Sequence, residues 1–384
     1  TIDLNDAVPT GVTVTNDASQ FVTVNGPLTA INTLLSGGIT YLGLPYTNGN
    51  DTVTVTANDL GNWPPPKRVS TASFVVAVAP VNNPPVIDPP DEPHLDEDTA
   101  YVIRSMTISD EDVDEGTNEL KVDLRVGHGT LTLDLSVPGG LRAANVTGNG
   151  TSHITIDKAS PNLINATLSS LSGLTYQPTL NYNVNVGGPD TLTIVADDKG
   201  NTGGTVTPTT VVVPITVAAV NDPPQLPWSV PPAVPPTPLT SEDLAIDVRW
   251  PANPVVDVDV GESPGDGRLM VTLSASHGTL TVSTNYGLTA GDFNGSNSGS
   301  TVQFTAPLSA INATLTALTP GLTGVRYSPH LNYNGKDTVL VTVNDRGNTD
   351  AGLMNPLTAR GTVTVTVVAV NDAPVLTVPG TSLT

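Results

Sequence analysis

Three short strings recur along this chain of 384 residues, and a recurring string means one structural unit used several times. The first is Val81-Asn-Asn-Pro-Pro85, then Val220-Asn-Asp-Pro-Pro224, then Val370-Asn-Asp-Ala-Pro374; its asparagines at 82, 221 and 371 are 139 and 150 residues apart. The second is an alternating segment running into a polar turn: DTVTVTANDLGN from Asp51, DTLTIVADDKGN from Asp190 and DTVLVTVNDRGN from Asp337. Each is preceded by a Tyr-bearing loop, LPYTNGN, PTLNYNVNVGG or PHLNYNGK. The third is PLTAINTLL near Pro27, NLINATLSSL near Asn162 and PLSAINATLTAL near Pro307.

In that last string Leu308, Ile311, Leu315 and Leu318 recur at steps of three and four, the spacing of one helical face, and Pro307 stands where a missing N–H is harmless. The expectation is one short helix per repeat, laid against a sheet. Near Leu28 it should end at Gly37 and Gly38, which accept the left-handed conformation of a C-terminal cap. Elsewhere the period is two: Val53, Val55 and Ala57 alternate with Thr, as do Leu131 with Leu133, Leu280 with Val282, and Val363, Val365 and Val367. Apolar residues on one face and Thr on the other describe half-buried antiparallel strands, and several per repeat imply a β-sandwich. Residues 84–221 and 222–371 are read as two complete repeats, 1–83 as the later part of another and 372–384 as the start of a further one. Eight prolines in sixteen residues follow Asp222 (PPQLPWSVPPAVPPTP) and predict a semi-rigid polyproline spacer.

Composition narrows the functional classes. Fourteen Lys and Arg against 36 Asp and Glu give a net charge of −22, which argues against nucleic acid and anionic membrane as partners, since both demand clustered basic residues. The absence of cysteine excludes disulfides, thiolate metal sites and cysteine nucleophiles. No apolar stretch reaches the ~20 residues of a membrane-spanning helix. An acidic, Thr-rich, Cys-free β chain is read as extracellular or cell-surface, and its start at Thr1 without a leader as a cut from something longer.

The Val-Asn-Asp-Ala-Pro-Val boundary, the ADDKGN turn and the acidic segment SDEDVDEGTNEL resemble cadherin-like repeats. They look most like the tandem repeats of large bacterial surface proteins and adhesins, and more distantly like repeats of the chondroitin sulfate proteoglycan type. The resemblance implies all-β, tandem Greek-key (cadherin/immunoglobulin-like) sandwiches, each with one short helical insertion, and calcium at the junctions. Carried over, it assigns Asn221, Asp222, Asp257 and Asp259 to the junction of the two complete repeats, with Asp197 or Asp198 from the preceding turn. It assigns Asn82, Asp110, Asp112 and Asp59 to the earlier junction, Glu97 and Glu242 to the start-of-repeat acidic position, and Asn371, Asp372 and Asp345 to the last boundary. Three departures stand out. Asn83 replaces the boundary Asp, the family's Asp-Arg-Glu string is missing, and the spacers are long enough to hold the boundary residues away from the following Asp-x-Asp pair.

Carboxylates and Asn carbonyls are the oxygen donors that a hard cation such as calcium takes. Solvated acidic turns are the plainer reading of the same residues. The segment from Asp110 is no EF-hand loop, because Gly116 falls at its seventh position and Lys121 at its twelfth. His128 and His277 occupy the same place in VGHGTL and ASHGTL, which marks repeated architecture, and no convergent polar constellation marks an enzyme. Trp63, Trp228 and Trp250 are scattered near junctions and are read as packing residues. Asn50, Asn145, Asn149, Asn165, Asn294 and Asn312 begin Asn-x-Ser/Thr sites, glycan acceptors if the source is eukaryotic. The expectation is therefore a structural rod or stalk segment, an adhesin extender or filament subunit, whose partners are further repeats or other copies, head to tail. The alternative is a module of a surface adhesin binding a glycan or protein.

Overall fold

The computed structural model describes every residue except 6, 63–65, 201–203, 205–207, 230–235, 263–265, 318–322, 348–354 and 377–384. The chain is all-β with a few short helices and packs as two compact units. The first comprises Thr1–Pro93, Ala100–Gln177 and Thr191–Pro214; the second comprises His94–Thr99, Pro178–Asp190 and Ile215–Thr384. The strand Thr209–Ala218 carries the chain from the first into the second. No helix among the described residues is long and apolar enough to cross a membrane.

The second unit holds two sheets around one core. One sheet runs Leu239–Ser241, Thr358–Val368, Gly335–Asn344, Arg268–Ala275, Thr301–Pro307 in spatial order; the other runs Ile246–Val248, Val325–Pro329, Gly278–Val282, Ser298–Gly299. Most connections cross from one sheet to the other, while Gly278–Val282 with Ser298–Gly299 and Gly335–Asn344 with Thr358–Val368 stay within a sheet as consecutive antiparallel pairs, the mixture of crossings and hairpins of a Greek-key sandwich. The two-residue alternation is realised side chain by side chain. Leu269, Val271 and Leu273 point into the core with Val339, Val341, Val343 and with Val363, Val365, Val367. Two short strands pair parallel to longer ones: Leu239–Ser241 against Thr366 to Val368, and His94–Asp96 against Thr216 to Ala218.

The helix expected in each repeat is present, as Leu28–Ser36, Pro161–Leu168 and Leu308–Thr316. In the last of these Ala310, Ile311, Thr314 and Leu315 are buried, while Leu318 lies outside the described residues. At the end of the first helix Gly38 takes the left-handed conformation (φ 86°) and Gly37 stays right-handed, so only one of the two glycines is needed for that reason.

Within the first unit the strand Leu120–Arg125 lies between His153–Ala159 and the strand ending at Asp197; Leu131 and Leu133 are buried as the alternation predicts, and Tyr176 is buried too. The hairpin Gly49–Asn58 with Val69–Val78 departs from it. Val53 is buried, but Val55 and Ala57 are exposed, because among the described residues this hairpin pairs with no third strand and the nearby core is only Leu4, Val12 and Leu34 with their neighbours.

Two other recurring strings acquire a structural reason. Asp337, from the DTVLV string, is 1% exposed and accepts hydrogen bonds from the backbone N–H groups of Ser276 (3.2 Å), His277 (2.9 Å) and Thr338 (2.8 Å) and from the Tyr327 hydroxyl (2.8 Å). Burial acts to raise its pKa, but the His277 N–H and the Tyr327 hydroxyl hold it below the ordinary carboxylate range. The His277 ring stacks on Tyr333 at 4.4 Å, so the repeated histidine belongs to a turn buckle.

The start of the Pro-rich segment is no spacer. Pro227–Ser229 forms a 3₁₀ turn that sends Trp228 into the core, 2% exposed, with its indole N–H donating to Pro254 O at 2.9 Å. Trp228 meets Trp250 edge-on at 6.2 Å, and a Cβ at Gly361 would lie 2.6 Å from the Trp228 ring. Trp228 and Trp250 are thus packing residues; Trp63 and the expected spacer over 230–235 lie outside the described residues, as does most of the strand expected after Asp372.

Candidate metal centre

Carboxylates converge in each unit. In the first unit Asp110, Asp112 and Asp198 each present an oxygen within 4.8 Å of the other two. The Asp112 N–H donates to Asp110 Oδ1 (3.1 Å), the Asn83 N–H to Asp112 Oδ2 (2.7 Å) and the Gly200 N–H to Asp198 Oδ1 (2.9 Å). The same backbone hydrogen-bond pattern recurs in the second unit at Asp257, Asp259 and Asp345. The Asp259 N–H donates to Asp257 Oδ1 (3.1 Å), the Asp222 N–H to Asp259 Oδ2, and the Gly347 N–H to Asp345 Oδ1 (2.9 Å). Asn221 donates from its side chain to Asp345 Oδ2 (2.7 Å). Asp259 also faces a second set, where oxygens of Glu97, Asp259 and Glu262 again lie within 4.8 Å of one another.

Strand register explains which turn joins which pair. Lys121 lies opposite Asp197, and Met270 opposite Asn344. The turn after each of these strands therefore arrives where the acidic segment of its own repeat enters the sheet. Asp198 accordingly sits with Asp110 and Asp112, and the place expected for it beside Asn221 is taken by Asp345. Asp345 is likewise drawn away from Asn371 and Asp372, which are exposed. Asp197 points elsewhere and accepts the Lys199 N–H (2.7 Å). Asp59 serves its own hairpin, accepting from the N–H groups of Gly61 (2.9 Å) and Arg68 (2.8 Å), which hold its pKa below the ordinary value.

Neither departure at the boundary separates the residues. Gln225 and Val256 exchange backbone hydrogen bonds of 2.7 and 3.0 Å, and Val86–Asp88 pairs with Thr107–Ser109, so the chain just after each boundary zips to the chain just before each Asp-x-Asp pair. Residues 83 and 222 both reach the pair through the backbone N–H, and Asn83 adds its side-chain amide as a second donor to Asp112 Oδ2 (3.4 Å).

Glu97 and Glu242 occupy equivalent positions at strand ends. The Glu97 N–H donates to Ala218 O and its Oε1 accepts the Val220 N–H (2.7 Å); the Glu242 N–H donates to Val368 O and its Oε1 accepts the Val370 N–H (2.5 Å). Several participants are absent from the motif reading. Asn183, fully buried, donates from its side-chain amide to Glu97 Oε2 (3.0 Å) and Glu262 Oε1 (2.8 Å). Asn48 donates to Glu115, and Asn334 to Glu242 (3.4 Å). Two signals were available for them: a Glu five residues after the first Asp of each pair (Glu115, Glu262), and an asparagine after each loop tyrosine.

These carboxylates fit a hard cation. Asp257, Asp259 and Glu262 are 6%, 1% and 5% exposed, and one buried oxygen of each, like one of Asp110 and of Asp198, has no hydrogen-bond partner. Among the described residues no Lys or Arg pairs with these five. Burial, reinforced by the neighbouring carboxylates, pushes Asp110 and Asp259 up to about 7 and Asp257 to about 6, and raises Glu262 and Asp222 as well. An acid whose pKa is higher in the fold than in the open chain stabilises the fold below ~4, and that contribution is lost as pH rises through the folded values of about 6 and about 7. Metal-stripped protein should therefore melt at a higher temperature at pH 5 than at pH 8; an inverted order in thermal melts would mean the cluster ionises without cost.

The glycan motifs fare differently from one another. Asn165 exchanges both amide functions with the backbone of Ile108 (2.9 and 2.7 Å), and Asn312 does the same with Val255 (3.0 and 2.9 Å). Asn149 is tied in this way to Leu133 (2.7 and 3.1 Å), while Asn145 and Asn294 donate to Lys158 O and Gln303 Oε1. A sugar on any of these five nitrogens would replace a hydrogen bond that ties neighbouring segments together. Asn50 is exposed on its strand.

No family model matches the chain, and no curated protein matches it. Among solved structures it is similar to mouse cadherin-23 EC22-24, at 18% identity over 96% of this chain and 86% of that one, with a TM-score of 0.33. It is similar to the protocadherin gammaB7 EC3-6 cis-dimer at 15% identity over 95% and 67%, TM-score 0.32, and to mouse protocadherin-24 EC1-3 at 16% over 96% and 89%, TM-score 0.28.

Proposed function

We propose that this chain is a structural segment of an extracellular rod or stalk, an adhesin extender or appendage subunit, made of tandem cadherin-like sandwiches. Its repeats are 84–221 and 222–371, flanked by parts of further ones at 1–83 and 372–384, and its partners are further repeats or other copies joined head to tail. Its role is distance and stiffness rather than catalysis. The observation that carries this is the siting of the carboxylate clusters at the repeat boundaries, where the backbone N–H of Asn83 or Asp222 bonds to the Asp-x-Asp pair. Calcium is the cation these donors suit. Asp110, Asp112 and Asp198 would hold it at one boundary, where Asn82 precedes the Asn83 that bonds to Asp112. Asp257, Asp259 and Asp345 with Asn221, and Glu97 with Asp259 and Glu262, would hold it at the next. Bound there, it supplies the positive charge that keeps the carboxylates ionised and the boundary fixed.

Small-angle scattering of the full chain with calcium and with excess chelator tests this reading. The maximum dimension should become broader and less defined on chelation while the circular dichroism of the sandwiches persists. An unchanged distance distribution would remove calcium as the stiffener.

A further inference from the structure

Asn183 is the unexpected member of the second unit's acidic set. It follows Tyr182, whose hydroxyl donates to Gly188 O (2.8 Å) across the loop, and a Cβ at Gly187 would lie 2.4 Å from the Tyr182 ring. That packing fixes the loop. The Asn183 side-chain oxygen accepts the Asn185 N–H (2.9 Å), which settles the amide orientation and leaves its NH₂ facing the carboxylates. One amide then serves two acids far apart in sequence, Glu97 and Glu262, and no other side-chain donor among the described residues reaches either. A simpler form, one amide to one glutamate, recurs: Asn48 two residues after Tyr46 reaches Glu115, and Asn334 reaches Glu242 after Tyr333, whose hydroxyl closes its loop on Lys336 O (2.8 Å).

We propose that Asn183 is a positioning residue, a neutral clamp that holds Glu97 and Glu262 at bonding distance before a cation arrives, with Asn48 and Asn334 doing the same for their own glutamates. An amide suits this task because it supplies two donors and no charge. Aspartate would add another anion to the cluster, and alanine would leave both glutamates to repel. The clamp pre-organises the site, so the cation does not have to assemble it; this second half of the proposal rests on the cation reading above.

The test uses the full chain with Asn183→Ala and Asn183→Asp, reading calcium affinity by calorimetry and metal-free melting by tryptophan fluorescence at pH 8. Asn183→Ala should lower affinity at one site by about tenfold, as loss of a partner that orients a metal ligand commonly does, with uptake at the first unit's Asp110 set unchanged as an internal check on folding. Asn183→Asp should melt lowest without metal, yet hold calcium more tightly than Asn183→Ala, a reversal that a merely structural residue would not produce. Affinity of Asn183→Ala within twofold of the parent, or identical ranking of the two variants with and without calcium, overturns the clamp. If the parent chain takes up no calcium, the cation reading fails on its own, and the clamp then stands only if both variants still melt below the parent in metal-free buffer.

Discussion

Asp259→Asn should raise the melting temperature of the metal-free protein at pH 8 and abolish most of the stabilisation that calcium confers on the second unit. Asp259 is 1% exposed, accepts the Asp222 N–H and shares with Glu97 and Glu262 a set whose oxygens lie within 4.8 Å of one another. Asparagine keeps an accepting oxygen for that bond and removes one buried negative charge. Relief of an unpaired buried charge is worth on the order of 1–3 kcal/mol. In calcium the sign reverses, because a ligand present at a hundred times its dissociation constant stabilises the fold by about 2.7 kcal/mol and the variant forfeits that. Paired melts with chelator and with calcium separate the two effects. A variant less stable than the parent in both would show that Asp259 is a structural acid whose charge the fold needs.

Leu315→Asp should have the largest effect on folding itself. Leu315 is 1% exposed on the helix Leu308–Thr316, and its carbonyl accepts the Trp250 N–H (3.1 Å), so helix and core share that point. A carboxylate there has no cationic partner. The loss should be on the order of 3–5 kcal/mol, from the cavity and the unpaired charge together. Hydrogen exchange over residues 239–368 should accelerate, while the first unit's core around Leu120, Ile154 and Leu174 keeps its protection. Exchange as slow as in the parent would mean the helix is not held by this face.

The helix was legible because a proline start and a three-four apolar step are local signals, and the strands because Thr alternates with Val over whole segments. Local signals were misleading at Val55 and Ala57, where the alternation is intact but nothing among the described residues covers the face; burial depends on what packs opposite, which the segment does not encode. The acidic residues were legible as a class and misassigned as groups. Asp198 and Asp345 lie in equivalent turns, ADDKGN and VNDRGN, and only the pairing of Lys121 with Asp197 and of Met270 with Asn344 decides which Asp-x-Asp pair each turn meets. Asn183 was invisible for a different reason: in a chain rich in Asn and Thr, one more asparagine in a polar loop carries no weight until its amide is seen between two glutamates.

The parallel pairing of Leu239–Ser241 with Thr366 to Val368 bears on how such a segment answers a pulling force. Two strands that run in the same direction, one near the start and one near the end of a sandwich, are drawn past each other when the chain is stretched. Their hydrogen bonds are then loaded together in shear rather than opened one after another like a zip. The same holds for His94–Asp96 against Thr216 to Ala218. With only three residue pairs in each, the latch gains its resistance from simultaneity rather than from length.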